Sequence, residues 1–167
     1  VDGPKLRILA RAARKYRIPP DFSTVDTATF STGHAEGKLL YFSGCMSQLT
    51  PTIGRSVESV LRKSGVDFEW IDRDGGLCCG RPLHTAGRLR EAEELRHKNE
   101  AIIRGSGAST LLVSCPICYR EFSQNYDLDG VRVVYYADYF CSLMDEGRIR
   151  LEKADTCYVY HDPCELG

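Results

Sequence analysis

The sequence has no excess of charge of either sign: 22 Lys and Arg stand against 23 Asp and Glu, leaving a formal net charge of −1. That balance excludes a global basic field for holding nucleic acid. No apolar run approaches the ~18 residues that a membrane helix needs, so no transmembrane segment is expected. The first residues lack the pattern of a secretory signal peptide. With 43% apolar and 27% charged residues the chain is not disordered wholesale. Its 167 residues are enough to bury the core of one domain, with room for an appendage. It opens on Val1 rather than Met, and we read it as a piece of a longer protein.

What the chain does have is eight cysteines. That is too sparse for a small disulfide scaffold, and a chain of this length needs no staples. Their placement says more. Cys78 and Cys79 are adjacent, and Cys115 and Cys118 form a C-x-x-C. Vicinal cysteines suit a disulfide framework poorly, and reduced thiols in a cytoplasmic protein, held for metal or redox work, fit better.

Residues 1–37 divide into a basic amphipathic helix over the first seventeen and a linker rich in Pro, Ser, Thr and Gly. From Lys38 the pattern changes to apolar strands alternating with amphipathic helices. Strands are predicted over 39–42, 66–71, 109–114, 131–136 and 157–161. A helix carries Ile53, Val57, Val60 and Leu61 on one face. A longer one runs from about 86 to 104, with Leu89, Ala92, Leu95, Ile102 and Ile103 inward, and shorter ones cover about 119–124 and 138–146. This alternation implies an α/β fold: a mostly parallel sheet of about five strands with helices on both faces.

In such sheets ligands bind beyond the carboxyl ends of the strands. Cys45 follows the first strand, Cys78 and Cys79 the second, and Cys115 the third, with Cys118 one helical turn on. Five thiols from three connections therefore converge on the carboxyl edge. Thiolates select zinc, copper(I) or iron–sulfur clusters. A structural zinc wants four ligands, usually from two knuckles, whereas one knuckle and an adjacent pair are present. An iron–sulfur cluster is the better match, with zinc as the alternative. Gly75, Gly76 and Gly80 let the backbone turn tightly around the pair. Because glycine packs no side chain, residues 74–82 are expected to be the most mobile part of a metal-free site whose sheet stays folded.

The register Cys45, then 32 residues to Cys78-Cys79-Gly80, then residues 80–114 to Cys115 and Cys118, resembles the cysteine-rich CCG domain. That family includes the B-type component of heterodisulfide reductase and its fused D-type relative. It also includes the iron–sulfur subunits of glycolate oxidase and anaerobic glycerol-3-phosphate dehydrogenase, and lactate utilisation protein A. The phrases SGCMSQLTP, GGLCCGRPL and SCPICYREF agree with it, and the similarity runs from Leu39 to the C-terminus. His161-Asp162-Pro163-Cys164 is similar to the opening of a second copy of the motif, 119 positions after Cys45. The resemblance thus divides the chain into 1–37, a first CCG domain at 38–160, and the truncated start of a second at 161–167, with Cys164 as that copy's first ligand.

The resemblance implies a [4Fe-4S] cluster held by Cys45, Cys78, Cys79, Cys115 and Cys118, of the noncubane type in heterodisulfide reductases, where it cleaves a disulfide by one-electron steps. In the other relatives it implies an electron relay between a flavin dehydrogenase and a quinone. Partners would be other iron–sulfur or flavin subunits and the second CCG module. The location would be cytoplasmic, or the inner face of a membrane through partner subunits. The reading from a different class is a non-catalytic zinc-binding or docking module.

Other residues carry weaker signals. Arg81 and His84, close after the vicinal pair, are candidates for offsetting cluster charge, and His161 for tuning it or for capping a turn. His34 and His97 have no context beyond a loop and an exposed helix face. Tyr41, Trp70, Tyr119, Tyr135 and Tyr136 read as core or shielding residues. Cys141 and Cys157 read as buried small apolar residues.

Overall fold

A computed structural model describes residues 37–152 together with Cys157, Val159 and His161. The expected basic helix, the linker up to 36, His34 and the Cys164 segment lie outside the described residues. The elements in chain order are β1 (Lys38–Phe42), α1 (Met46–Leu49), α2 (Pro51–Lys63), β2 (Phe68–Trp70), α3 (Arg81–Thr85), α4 (Leu89–Gly105), β3 (Ala108–Val113), α5 (Pro116–Asn125), β4 (Arg132–Tyr135) and α6 (Tyr136–Asp145).

The four strands form one parallel sheet in the order β2-β1-β3-β4. The α/β class is as the sequence implies, with four strands among the described residues rather than about five. Cys157, Val159 and His161 of the fifth expected strand have no strand conformation and are exposed; Tyr158 and Tyr160 lie outside the described residues. Val159 is 80% exposed, and an unpacked side chain gives a strand no stability.

Residues one apart on a strand point to opposite faces, and both faces here are apolar. Leu40, Phe42, Leu111 and Val113 pack with Ile103 of α4 and Phe122 of α5. Leu39, Tyr41 and Leu112 pack with Val57 and Leu61 of α2 and Tyr139 and Leu143 of α6. That double burial is why β1 and β3 are continuous apolar runs.

Three helix expectations are corrected. On α2 the buried stripe is Gly54, Val57 and Leu61, while Ile53 is 45% exposed. A Cβ at Gly54 would lie 2.9 Å from the Trp70 ring, so the ring takes the place the pattern assigned to Ile53. The long helix begins at Leu89, because Gly87 at φ +73° separates it from α3. On α4, Leu89 and Ile102 face outward, whereas Asn99, Glu100 and Ile103 are buried. Cys141 is exposed: the inward side of α6 is set by Tyr139 and Leu143, and a residue two positions from each turns away. Cys157 is exposed too.

Candidate metal centre

The strand order reverses between β1 and β3, and this switch point is where the carboxyl ends of a parallel sheet leave a crevice. Cys45 follows β1 and Cys115 follows β3. The two strand ends are tied together, since Ser114 N–H donates to Phe42 O at 3.3 Å and the Ser114 hydroxyl donates to Ser43 O at 3.1 Å. Gly44 lies between them at φ +87°. A Cβ there would stand 2.9 Å from Cys115 Cβ and 3.1 Å from Cys118 Sγ. Glycine is thus required both by conformation and by the approach of the two thiol-bearing residues.

Asp72, just past β2 and 2% exposed, fixes the backbone leading to Cys45. Its carboxylate accepts from Ser43 N–H at 2.8 Å, the Ser43 hydroxyl at 3.0 Å, Gly44 N–H at 2.7 Å and Trp70 Nε1–H at 2.8 Å. Hydrogen bonds to a charged acceptor are the strong ones, and four of them hold β1 and β2 in one arrangement where the chain turns toward the site.

The vicinal pair follows a turn closed by Gly75 N–H to Asp72 O at 3.0 Å, with Gly75 at φ +79°. It ends at Gly80, whose φ of +85° starts α3. Cys79 is 2% exposed and packs with Cys118, Phe42 and Phe122. The Asn99 side chain donates to Cys78 O at 2.8 Å, and the Tyr126 hydroxyl donates to Cys79 O at 2.9 Å. The pair therefore has anchors in the protein itself, where the glycine content alone predicts a loop ordered by metal.

The thiols interact in a chain. Hydrogen bonds from Cys118 and then from Cys78 hold the Cys79 thiol far below its ordinary value, at about 3, against the opposing effect of burial. The Cys118 hydrogen bond likewise lowers Cys115, to about 6. The donors move the other way: Cys118 is pushed up because it gives its proton to Cys115 and Cys79, and Cys78 because it gives its proton to Cys79. Backbone amides add to this. Arg81 N–H stabilises the Cys79 sulfur, and Gly80 N–H that of Cys78. Cys115 sits at the N-cap of α5 with Pro116 after it. No side-chain cap bond closes that terminus, yet the amides of Cys118 and Ile117 favour the Cys115 thiolate. Cys45 is exposed.

The fold thus brings all five expected cysteines to one edge of the sheet, with soft, partly ionised sulfurs suited to iron–sulfur chemistry or zinc. Among the described residues, no three Cys, His, Asp or Glu side chains are grouped as they would be round a single ion. Four of the sulfurs, those of Cys78, Cys79, Cys118 and Cys115, are joined in that order by hydrogen bonds. Arg81 is paired with the buried Glu121, Nη1 to Oε2 at 3.4 Å. His84 is exposed and lines a cavity of about 420 Å³ beside Cys79 and Gly80, together with Glu93, Arg96 and Glu121. His97 pairs with Glu100 at 3.3 Å on α4, and His161 is exposed. Tyr41 and Tyr135 are buried in the core as expected, while Tyr119, Tyr136 and Trp70 are half-buried against them. Sequence reasoning missed Asp72, Asn99 and Tyr126. The only local sign of Asp72 is its place directly after a strand.

Among the described residues, no helix is long and apolar enough to cross a membrane. Among curated proteins, the chain is 29% identical over 160 residues to the D-type component of dihydromethanophenazine:CoB--CoM heterodisulfide reductase from Methanosarcina acetivorans, covering 90% of this chain and 37% of that one. It is 29% identical over 140 residues to the B-type component of fumarate reductase (CoM/CoB) from Methanothermobacter marburgensis, covering 81% and 27%. It is 25% identical over 138 residues to the EtfAB:quinone oxidoreductase of Syntrophomonas wolfei, covering 79% and 19%. The chain spans well under half the length of each. No solved structure gives a significant match. The family described as CCG, cysteine-rich domain, matches residues 39–123, just over half of the chain and all five clustered cysteines, and the chain belongs to that family.

Proposed function

We propose that this domain is an iron–sulfur module of an oxidoreductase, in which Cys45, Cys78, Cys79, Cys115 and Cys118 hold the cluster. The observation that carries the reading is the meeting of five cysteines beyond strand ends fixed by Asp72 and Ser114, with the Cys79 and Cys115 thiols lowered by hydrogen bonds from Cys118. Thiolates are the form that binds metal. Among the described residues no three ligating side chains are grouped round a single ion, and five cysteines are one more than a tetrahedral zinc takes; both favour several irons over one zinc. When bound, such a cluster supplies one-electron transfer. The protein's part is to orient the ligands and to keep the Cys79 and Cys118 side dry, which Phe42 and Phe122 do.

The relatives support an electron-transfer setting with iron–sulfur or flavin partners. Two of the three carry CoM and CoB in their names, which favours thiol–disulfide redox chemistry over a simple relay as the finer role. We also propose Cys164 as the first ligand of a second copy of the motif.

Anaerobic reconstitution followed by iron and acid-labile sulfide analysis tests the reading. Both are expected in the wild type and lost in Cys79→Ala and Cys115→Ala. One tightly held zinc without sulfide would replace this reading with the zinc-module alternative. Unchanged iron in both variants would overturn the ligand set.

A further inference from the structure

The clustered thiols are not the only buried polar groups on this edge of the sheet. Asn99 is 2% exposed on α4, 21 positions from Cys78. Its Nδ2 gives one hydrogen to Cys78 O and the other to the Tyr126 hydroxyl at 3.0 Å. Since an amide nitrogen only donates, the phenol's own proton goes to Cys79 O. The two consecutive carbonyls of the vicinal pair are thereby held by one connected pair of side chains. Tyr126 is fixed in turn by its ring, edge-on to Phe122 with centroids 4.5 Å apart.

The orientation of the Asn99 amide follows from this. Turned over, it would set Oδ1 against the Cys78 carbonyl oxygen, acceptor against acceptor. As it stands, Oδ1 is buried without a hydrogen-bond partner among the described residues, and an unmet buried acceptor carries the penalty of desolvation. Its surroundings include Phe42, Ile71, Leu77, Ile103 and Phe122, where an aliphatic side chain would pack without that penalty. The fold does not need an amide here; the vicinal pair does.

We propose that Asn99 and Tyr126 are positioning residues that set the peptide planes of Cys78 and Cys79, and so aim the two adjacent thiols, before any metal arrives. Toward the cluster this rests on the function proposed above; toward the thiols it stands on the metal-free protein. Holding two carbonyls fixes the backbone dihedrals between them, and with those the Cα–Cβ directions of both cysteines. Tyr126→Phe keeps the ring and loses the two bonds of the hydroxyl, to Cys79 O and from Asn99. Asn99→Leu keeps the volume and loses both donors.

The test uses the full 167-residue chain under anaerobic, metal-free conditions, with iodoacetamide labelling followed residue by residue in a mass spectrometer. In each variant the labelling rate of Cys79 relative to Cys141 is expected to rise about ten-fold, the scale of one lost hydrogen bond. The midpoint of urea unfolding should hold or rise in Asn99→Leu. Cys141, exposed on α6 and outside the thiol chain, is the internal reference. An unchanged ratio in both variants would overturn the proposal. So would a fall in the urea midpoint of Asn99→Leu large enough to account for the rise, which reports a loosened core. In reconstituted protein, release of iron to a chelator should quicken by a similar factor and the visible spectrum of the cluster should shift. A wild type that takes up no iron would sink the proposed function and leave the labelling result standing.

Discussion

The two faces of the sheet are built to different ends. On the face covered by α2 and α6, the buried residues are Leu39, Tyr41, Val57, Leu61, Leu112, Tyr139 and Leu143, with Tyr136 and Phe140 packed edge-on at 5.6 Å. On the face covered by α4 and α5, the same apolar ground is shared with Cys79 and Cys118 and with buried Asn99, Glu100 and Glu121. Each of those polar groups does a job: Glu100 accepts Asp127 N–H at 3.0 Å, Glu121 meets Arg81, and Asn99 holds Cys78. Burying charge costs stability unless it is paired. One face stores the stability that the other spends on holding thiols in place.

The largest effect should come from the storing face. Leu143 is 0% exposed, and Leu143→Ala removes its methyl groups and leaves a cavity, a loss of about 2–5 kcal/mol. Urea denaturation should show that fall, while iron bound per folded molecule stays at the wild-type value. A variant that stays folded but loses its iron would erase the division between the faces.

The division was partly legible in the sequence. The runs that became β1 and β3 read as buried strands because both their faces are covered, and five cysteines at strand ends read as one site because parallel strands end on one edge. What was not legible depends on contacts far along the chain. Asp72 reaches Ser43 and Gly44 across 29 and 28 positions, and Tyr126 reaches Cys79 across 47. No local pattern distinguishes Asn99 from a solvated helix residue; helical periodicity weights apolar residues and so set Ile102 inward where Asn99 and Glu100 belong. Cys141 was misplaced for a related reason: apolar neighbours in sequence are not neighbours on a helix face. The order of hydrogen bonds among the thiols is a tertiary property throughout.

A smaller effect should separate backbone from site. Gly44 and Gly107 both have left-handed backbone, at φ +87° and +69°, but a Cβ at Gly107 meets nothing within 4 Å whereas one at Gly44 meets Cys115 and Cys118. Ala at either position carries the conformational penalty of about 1–2 kcal/mol. Gly107→Ala should lower the unfolding free energy by that amount and keep iron uptake. Gly44→Ala should lower it further and reduce iron uptake as Cys115 and Cys118 are displaced. Equal iron uptake in the two variants would show that the close approach at Gly44 has no bearing on the site.

The smallest effect at neutral pH belongs to Tyr41, on the storing face but linked to the site. The Ser114 hydroxyl is committed to Ser43 O, so the Tyr41 phenol is the donor in its 3.0 Å bond to Ser114 Oγ. Tyr41→Phe should therefore lower stability at pH 7 by only ~1 kcal/mol. Its pH dependence is more telling. Burial pushes the phenol up from 10.0 to about 12, with the Asp72 carboxylate acting in the same direction and the Ser114 hydrogen bond opposing. Between those values the unfolded chain has released the proton and the folded chain has kept it. The unfolded state then binds fewer protons, and the free energy of unfolding falls as pH rises. The contribution is complete below pH 10 and gone above about pH 12. Urea titrations at stepped alkaline pH should show a decline in the wild type that is shallower in Tyr41→Phe. The decline should begin while the sheet is still folded by circular dichroism. Identical slopes for the two proteins across that window would mean that Tyr41 ionises as freely in the folded sheet as in the open chain, and that the storing face is wetter at its carboxyl end than its packing implies.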